Sequence, residues 1–154
     1  MQFNHVGISV TDLDRSIAFY REMFGMEPLS DPFAFSGPQI AEIMDIPDVA
    51  GRMCMIAGGN LWLELFEFTT PRGKEKPRDY PVSDRGYSHF GMTVDDVQAT
   101  YDKLKAAGVK VHGRLQTFAG GGMRAAYCRD PDGNVFEIMQ LGAGMPAPHA
   151  KRTD

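Results

Sequence analysis

HVGISVTDL at residues 5–13 recurs as HFGMTVDDV at residues 89–97, and this internal repeat decides the fold. The two stretches match in residue class at nearly every position. Apolar residues alternate in the first half of each copy, as at Val6, Ile8 and Val10, which predicts a β-strand. The Thr and Asp residues that follow are typical N-cap residues, and Asp95 with Gln98 approximates a capping box in the second copy. Each strand is therefore predicted to lead into an α-helix.

Both copies continue in the same order after the helix. Gly25 and Gly108 end the two stretches of helical apolar spacing. Later, GGN at 58–60 and DPDGN at 130–134 are turn sequences, and each leads into an apolar strand and closes a hairpin. The sequence therefore predicts an α+β fold, in which two βαβββ modules form a curved, cup-like mixed sheet with the helices outside.

The repeat also predicts the division of the chain. We expect a first βαβββ module at 1–68, a linker at 69–85, a second βαβββ module at 86–140 and a flexible tail at 141–154. The first copy is about eleven residues longer than the second, and we place the extra residues within 36–50. Their apolar residues have helical spacing, which predicts a short helix over the mouth of a site.

Composition narrows the function classes. The chain has 154 residues, with 16 basic against 20 acidic side chains and a net charge of -4. This balance argues against nucleic-acid binding and against a polybasic membrane anchor, so we expect a small-molecule partner. Two cysteines are too few for a disulfide framework, and we expect reduced, buried thiols. The sequence shows no signal-peptide pattern and no long apolar run, so a cytoplasmic location is expected by elimination.

Strand parity points to a metal site. Val6, Leu63, Phe90, Phe136 and their alternating neighbours form an apolar face that should pack on the helices. The opposite face carries a His or Glu in each of four strands, at His5, Glu64, His89 and Glu137. Carboxylates and imidazoles are rarely buried together unless they are paired or coordinate a metal. This mixed nitrogen and oxygen set suits one divalent ion such as Zn, Ni, Co, Mn or Fe.

Two further polar residues are considered for the site. Arg124 alternates with its neighbours in a predicted strand, so it could face a substrate anion, although a surface salt bridge is favoured. His112 follows the second helix at the end of a strand and has no match in the first copy. We expect its side chain to be exposed.

These motifs resemble a known superfamily. HVGISVTDLDRSIAFYREMFGM and HFGMTVDDVQATYDKLKAAGV, together with WLELFEF and DPDGNVFEIMQ, are similar to the vicinal oxygen chelate superfamily of glyoxalase I, methylmalonyl-CoA epimerase and extradiol dioxygenases. The resemblance covers residues 3–140. In that superfamily a metal ligand stands on the first and last strand of each module, and the matching positions here are the four residues that parity selects.

The resemblance implies a reaction class and an assembly. Glu64 as a fourth ligand favours a glyoxalase-like or epimerase-like lyase or isomerase, with Glu137 and Glu64 as candidate bases. Two alternatives stay open: a ring-cleaving dioxygenase that uses ferrous iron through His5, His89 and Glu137, and a metal-free small-molecule-binding resistance protein. The resemblance also implies a homodimer, and leaves open whether the four ligands come from one chain or from two.

Overall fold

Each copy of the repeat forms its own five-stranded mixed sheet. The structure is a computed structural model that describes residues 2–145. The chain divides into two units: the first extends to Pro81 and also includes Asp130–Asn134, and the second comprises Val82–Arg129 and the residues from Val135 onward. The module, linker and tail boundaries expected from the sequence stay predictions, and residues 146–154 of the expected tail lie outside the described residues.

The first unit follows the predicted order of elements. Its elements are β1 (Val6–Ser9), α1 (Leu13–Phe24), β2 (Glu27–Pro28), β3 (Phe33–Ser36), α2 (Pro38–Met44), β4 (Ala50–Gly58) and β5 (Leu61–Thr70). The sheet runs β1-β5-β4-β2, and β3 also pairs with β4. β1 is parallel to β5, whereas β2, β3 and β5 are antiparallel to β4.

The second unit repeats this arrangement. Its elements are β6 (Phe90–Thr93), α3 (Val97–Ala106), β7 (Lys110–Val111), β8 (Gln116–Thr117), a 3-10 turn (Ala119–Gly121), β9 (Met123–Arg129) and β10 (Val135–Leu141). The sheet runs β6-β10-β9-β7, and β8 also pairs with β9. The predicted α+β fold of two βαβββ modules is confirmed. In each module, the strand after the helix is broken into two short pieces, β2 and β3 or β7 and β8.

Side-chain caps start the two main helices. Asp12 caps α1 and Asp96 caps α3, each by accepting a hydrogen bond from the backbone N–H three residues on. The predicted capping box of Asp95 and Gln98 is therefore wrong: the cap is Asp96, and the residue three positions later is Ala99, which has no polar side chain to return a hydrogen bond. Gly25 ends α1 with φ 65°, a left-handed conformation that glycine adopts without steric cost.

The core lies between each sheet and its helix, on the face that parity predicted. The central positions Leu63, Leu65, Phe136 and Ile138 are fully buried. The helices contribute a buried stripe to this core: Leu13, Ile17, Tyr20 and Met23 from α1, and Val97, Tyr101 and Leu104 from α3. Phe24, at the end of α1, is only half-buried.

Cys54 on β4 and Cys128 on β9 are buried free thiols, as expected. Burial raises the pKa of both, that of Cys128 to about 12. The extra residues of the first copy do form a short helix, α2, with no buried residue. Its predicted position over a site stays untested. Within residues 2–145, every helix falls short of the length and apolar character that a membrane span requires.

Candidate metal centre

His5 and Glu64 meet in the first unit. His5 immediately precedes β1, and the parallel pairing of β1 with β5 places Gly7 opposite Glu64. His5 and Gly7 are two residues apart and so share a face of the sheet. The His5 Nε2 atom lies 3.1 Å from Glu64 Oε2. The structure thus brings together two of the four residues that parity selected.

His89 and Glu137 meet in the same way in the second unit. His89 immediately precedes β6, and Gly91 pairs with Glu137 on the parallel strand β10. The His89 Nε2 atom lies 3.5 Å from Glu137 Oε2. A glycine therefore stands opposite the glutamate in both modules. A Cβ at Gly91 would lie 3.1 Å from the Met139 side chain and 3.6 Å from the Glu137 carboxylate, so glycine allows close packing beside the glutamate there.

The second nitrogen of each imidazole is held by a neighbouring polar side chain. His5 Nδ1 is 2.6 Å from the amide oxygen of Asn4, and His89 Nδ1 is 3.0 Å from the Ser88 hydroxyl. The Asn4 amide and the Ser88 hydroxyl thus each hold one imidazole through Nδ1. Nε2 then faces the glutamate. In metal-ligating histidines one ring nitrogen binds the ion while the other is held by a hydrogen bond, so these contacts leave Nε2 of His5 and of His89 as the candidate ligand atoms.

The His89–Glu137 pair is more buried than the His5–Glu64 pair. The Glu137 side chain is 13% exposed and that of Glu64 is 19% exposed. Burial raises the pKa of Glu137, and the neighbouring His89 opposes this rise. The Tyr127 ring lies 4.5 Å from the His89 ring, centroid to centroid. Burial and the charge of Glu137 raise the pKa of the Tyr127 phenol.

The donor set of each pair fits a divalent metal. Two ligands bonded to one ion at about 2.1 Å and about 90–110° apart are separated by about 3.0–3.4 Å. The imidazole–carboxylate distances, 3.1 and 3.5 Å, are close to this range. Within residues 2–145, no three His, Cys, Asp or Glu side chains come close enough to hold an ion together. The four predicted ligands are therefore placed as two pairs, one in each unit.

An open groove of about 400 Å³ lies beside Glu137 in the second unit. The residues that line it include His112, Arg114, Gln116, Ala125, Tyr127 and Glu137. His112 is exposed, as expected, yet it lines this groove. Arg124 instead donates to the Gln98 side chain of α3 at 2.9 Å, so it lies on the helix side of the sheet and outside the groove.

Tyr127, Arg114 and Gln116 of the groove were missed in the sequence analysis. The signal for Tyr127 was available, because a hairpin centred on Asp132 pairs residue 127 with residue 137. Arg114 and Gln116 gave no such signal. Arg114 lies in the break between β7 and β8, and Gln116 begins the two-residue strand β8, which is too short to show a periodicity.

Comparison with known proteins gives the family. The model of the Glyoxalase/Bleomycin resistance protein/Dioxygenase superfamily matches residues 2–138. The chain belongs to this superfamily. The resemblance inferred from the repeat is thereby confirmed.

Curated relatives within the superfamily carry two kinds of activity. The chain is 32% identical over 145 residues to a lactoylglutathione lyase of Arabidopsis thaliana, covering 92% of this chain and 44% of the relative. It thus spans less than half the length of that relative. It is 34% identical over 153 residues to a 2-epi-5-epi-valiolone epimerase of an Actinomyces species, covering 93% of this chain and 81% of the relative.

Solved structures of the superfamily share the fold. A glyoxalase family protein from Bacillus cereus superposes with a TM-score of 0.82 at 23% identity, covering 92% of this chain and 95% of the other. Glyoxalase I from Leishmania major, described as trypanothione-dependent, gives a TM-score of 0.60 at 25% identity, covering 88% of this chain and 84% of the other.

Proposed function

We propose that this chain is a metal-dependent lyase or isomerase, glyoxalase-like or epimerase-like, that moves a proton on the carbon beside a carbonyl or enediolate oxygen of a small molecule. The observation that carries the proposal is the repeated pairing of an imidazole with a carboxylate, at equivalent positions of both modules. Superfamily relatives named as lyases and as an epimerase support the same reaction classes.

His5, Glu64, His89 and Glu137 would hold one divalent metal ion, such as Zn, Ni, Co, Mn or Fe. When bound, such an ion would act as a Lewis acid: it would polarise the substrate oxygen and so make the adjacent C–H bond more acidic. The side chains that hold Nδ1 of His5 and His89 would fix the orientation of both imidazoles.

Glu137 and Glu64 are the candidate bases for the proton transfer. Both are only partly exposed, and a carboxylate shielded from bulk water is a stronger base toward carbon acids. Glu137 is favoured because it also lines the groove of the second unit, where a substrate would lie next to its carboxylate. The face beside Glu64 in the first unit instead carries aromatic and methionine side chains, among them Met53, Met55 and Phe66.

Substitution of Glu137 by Gln tests this role. Turnover should fall by about 10²–10⁴-fold, because the amide cannot accept the proton, while the oxygen that remains still contributes to metal binding. Formation of lactoylglutathione and epimerisation of 2-epi-5-epi-valiolone are the two assays that the relatives suggest. Glu67→Gln is the matched control, since this glutamate lies on β5 and bonds to Arg52 and to the N-terminus of α1. Full turnover of Glu137→Gln with one metal per chain would show that Glu137 is not the base.

The alternatives predict different results with the same protein. Uptake of oxygen with a catechol and ferrous iron would support the ring-cleaving dioxygenase. Tight small-molecule binding by a protein that takes up no metal would support the resistance protein. We further propose a homodimer in the cytoplasm, without nucleic-acid or membrane partners, which sedimentation equilibrium and cell fractionation would test.

A further inference from the structure

The two modules present different surfaces beside their His–Glu pairs, and backbone hydrogen bonds give the equivalent positions. Met55 pairs with Glu64 across β4 and β5, and Tyr127 pairs with Glu137 across β9 and β10. The Leu29 N–H donates to the Met55 carbonyl at 2.8 Å, and the His112 N–H donates to the Tyr127 carbonyl at 2.8 Å. Leu29 and His112 are therefore equivalent, as are Met55 and Tyr127.

The same correspondence continues along the broken strand. Phe33 pairs with Met53 in the first module, and Gln116 pairs with Ala125 in the second. Leu29 and Phe33 are as far apart in the sequence as His112 and Gln116. Asp31 of the first module therefore corresponds to Arg114 of the second. At this position the repeat has reversed the charge.

The surface in the first module is apolar, and Leu29 and Phe33 on it are about half exposed. Phe66 lies on the same face as Glu64, with its ring 5.6 Å from that of Phe35 and 5.4 Å from that of Phe68. Leu29, Phe33, Met53 and Met55 occupy the positions that are polar or small in the second module.

In the second module the corresponding surface is polar and hollow. His112, Gln116 and Tyr127 replace Leu29, Phe33 and Met55, while Ala125 replaces Met53 and removes most of that side-chain volume. The groove of about 400 Å³ opens here, beside Glu137. The polar side chains and the open volume beside Glu137, a candidate metal ligand, together suit the binding of a polar group.

Charge indicates which polar group the groove would take. Arg114 lines the groove, and among residues 2–145 no carboxylate lies within ion-pair distance of its guanidinium. A planar guanidinium matches carboxylate and phosphate oxygens through two parallel hydrogen bonds. Burial, with the charges of Arg129 and Lys110, lowers the pKa of His112. Its imidazole is thus largely neutral at neutral pH and serves as a hydrogen-bond partner.

We propose that this groove binds an anionic arm of the substrate, a carboxylate or phosphate group that pairs with Arg114 and accepts hydrogen bonds from His112, Gln116 or Tyr127. The inference rests on the proposed function in one respect: the arm belongs to the molecule whose carbon reacts beside Glu137.

Titration of the purified full-length protein with small anions tests this subsite without knowledge of the substrate. The probes are acetate, inorganic phosphate and, as the neutral counterpart of acetate, acetamide. The imidazole signal of His112 in a proton–carbon NMR correlation spectrum reports binding, with the pH and ionic strength held constant. Arg114→Gln removes the charge, and Asp31→Asn is the matched control at the equivalent position of the first module.

A saturable shift of the His112 signal with acetate or phosphate, absent with acetamide, is the expected result. Arg114→Gln should weaken this binding by at least about ten-fold, and Asp31→Asn should leave it within about two-fold, since a charged hydrogen-bonded pair contributes about 1.5–3 kcal/mol. A preference between acetate and phosphate identifies the arm as a carboxylate or a phosphate. Equal shifts with acetamide, or unchanged binding in Arg114→Gln, would overturn the proposal.

A metal titration of the same samples separates this inference from the proposed function. Uptake of metal without specific anion binding would refute only the anionic subsite. Specific anion binding by a protein that takes up no metal would refute the metal-dependent reaction and retain the subsite.

Discussion

At the scale of single residues, Asp130 is a buried carboxylate that organises the turn between β9 and β10. It is 5% exposed, and it accepts hydrogen bonds from the Tyr20 hydroxyl at 3.0 Å and from the backbone N–H groups of Asp132 and Asn134. The Asn134 side chain donates to it as well, at 2.9 Å. Burial raises the pKa of Asp130, and these hydrogen bonds oppose the rise. The turn therefore depends on keeping every one of these donors.

Removal of the Tyr20 hydroxyl should destabilise the protein in a pH-dependent way. Tyr20→Phe should lower the free energy of unfolding by about 1.5–3 kcal/mol at neutral pH, since one donor to a buried charge is lost. The pKa of Asp130 is raised in the folded protein, so folding favours the protonated carboxyl. The stability that Asp130 contributes is therefore present below its unfolded pKa and is lost as the pH rises through its folded pKa. The variant raises that pKa further, so its deficit should be largest at neutral pH and should shrink on acidification.

Tyr101→Phe is the control for this effect. The Tyr101 hydroxyl donates to the neutral carbonyl of Gly113 at 2.8 Å, so its loss should cost about 0.5–1.5 kcal/mol with no such pH dependence. Urea unfolding of both variants between pH 4 and pH 8 measures the difference. The same deficit for Tyr20→Phe at every pH would contradict the role assigned to Asp130.

At the scale of elements, the repeat made most of the fold predictable from the sequence, but no sequence pattern predicted the groove. Period-two strands and N-capped helices were predictable because each is a local pattern of several residues. Their parity also selected His5, Glu64, His89 and Glu137. The break between β7 and β8, which contains Arg114, has no such pattern, and Gln116 is placed by the pairing of β8 with β9, a non-local contact.

The burial of Cys54 on β4 and of Cys128 on β9 predicts that both thiols react slowly in the folded protein. Cys54 and Cys128 are fully buried, and burial raises the pKa of both, so neither forms a reactive thiolate near neutral pH. Native protein should therefore react with a thiol-specific reagent only as fast as it unfolds, whereas protein in concentrated guanidinium should show two thiols per chain at once. Rapid labelling of native protein would mean that these strands are not packed as described.

At the scale of the whole molecule, the proposed set of four ligands predicts a metal stoichiometry. Each module supplies one imidazole and one carboxylate, and a site for Zn or a similar ion with four protein ligands needs two of each from this set. One metal ion per chain follows, whether the four ligands come from one copy of the chain or from two. Two independent His–Glu sites would instead give two ions per chain.

The most direct test of the central claim is therefore metal content and affinity in full-length protein, measured by elemental analysis and by titration of metal-free protein. We predict one divalent ion per chain. His5→Ala and His89→Ala should each weaken binding by at least about 100-fold, because loss of a direct ligand exceeds the 10–100-fold cost of losing an outer hydrogen bond. His112→Ala should bind as tightly as the unaltered chain. Two ions per chain, or a tight site that survives His5→Ala or His89→Ala, would contradict a single centre built from both modules.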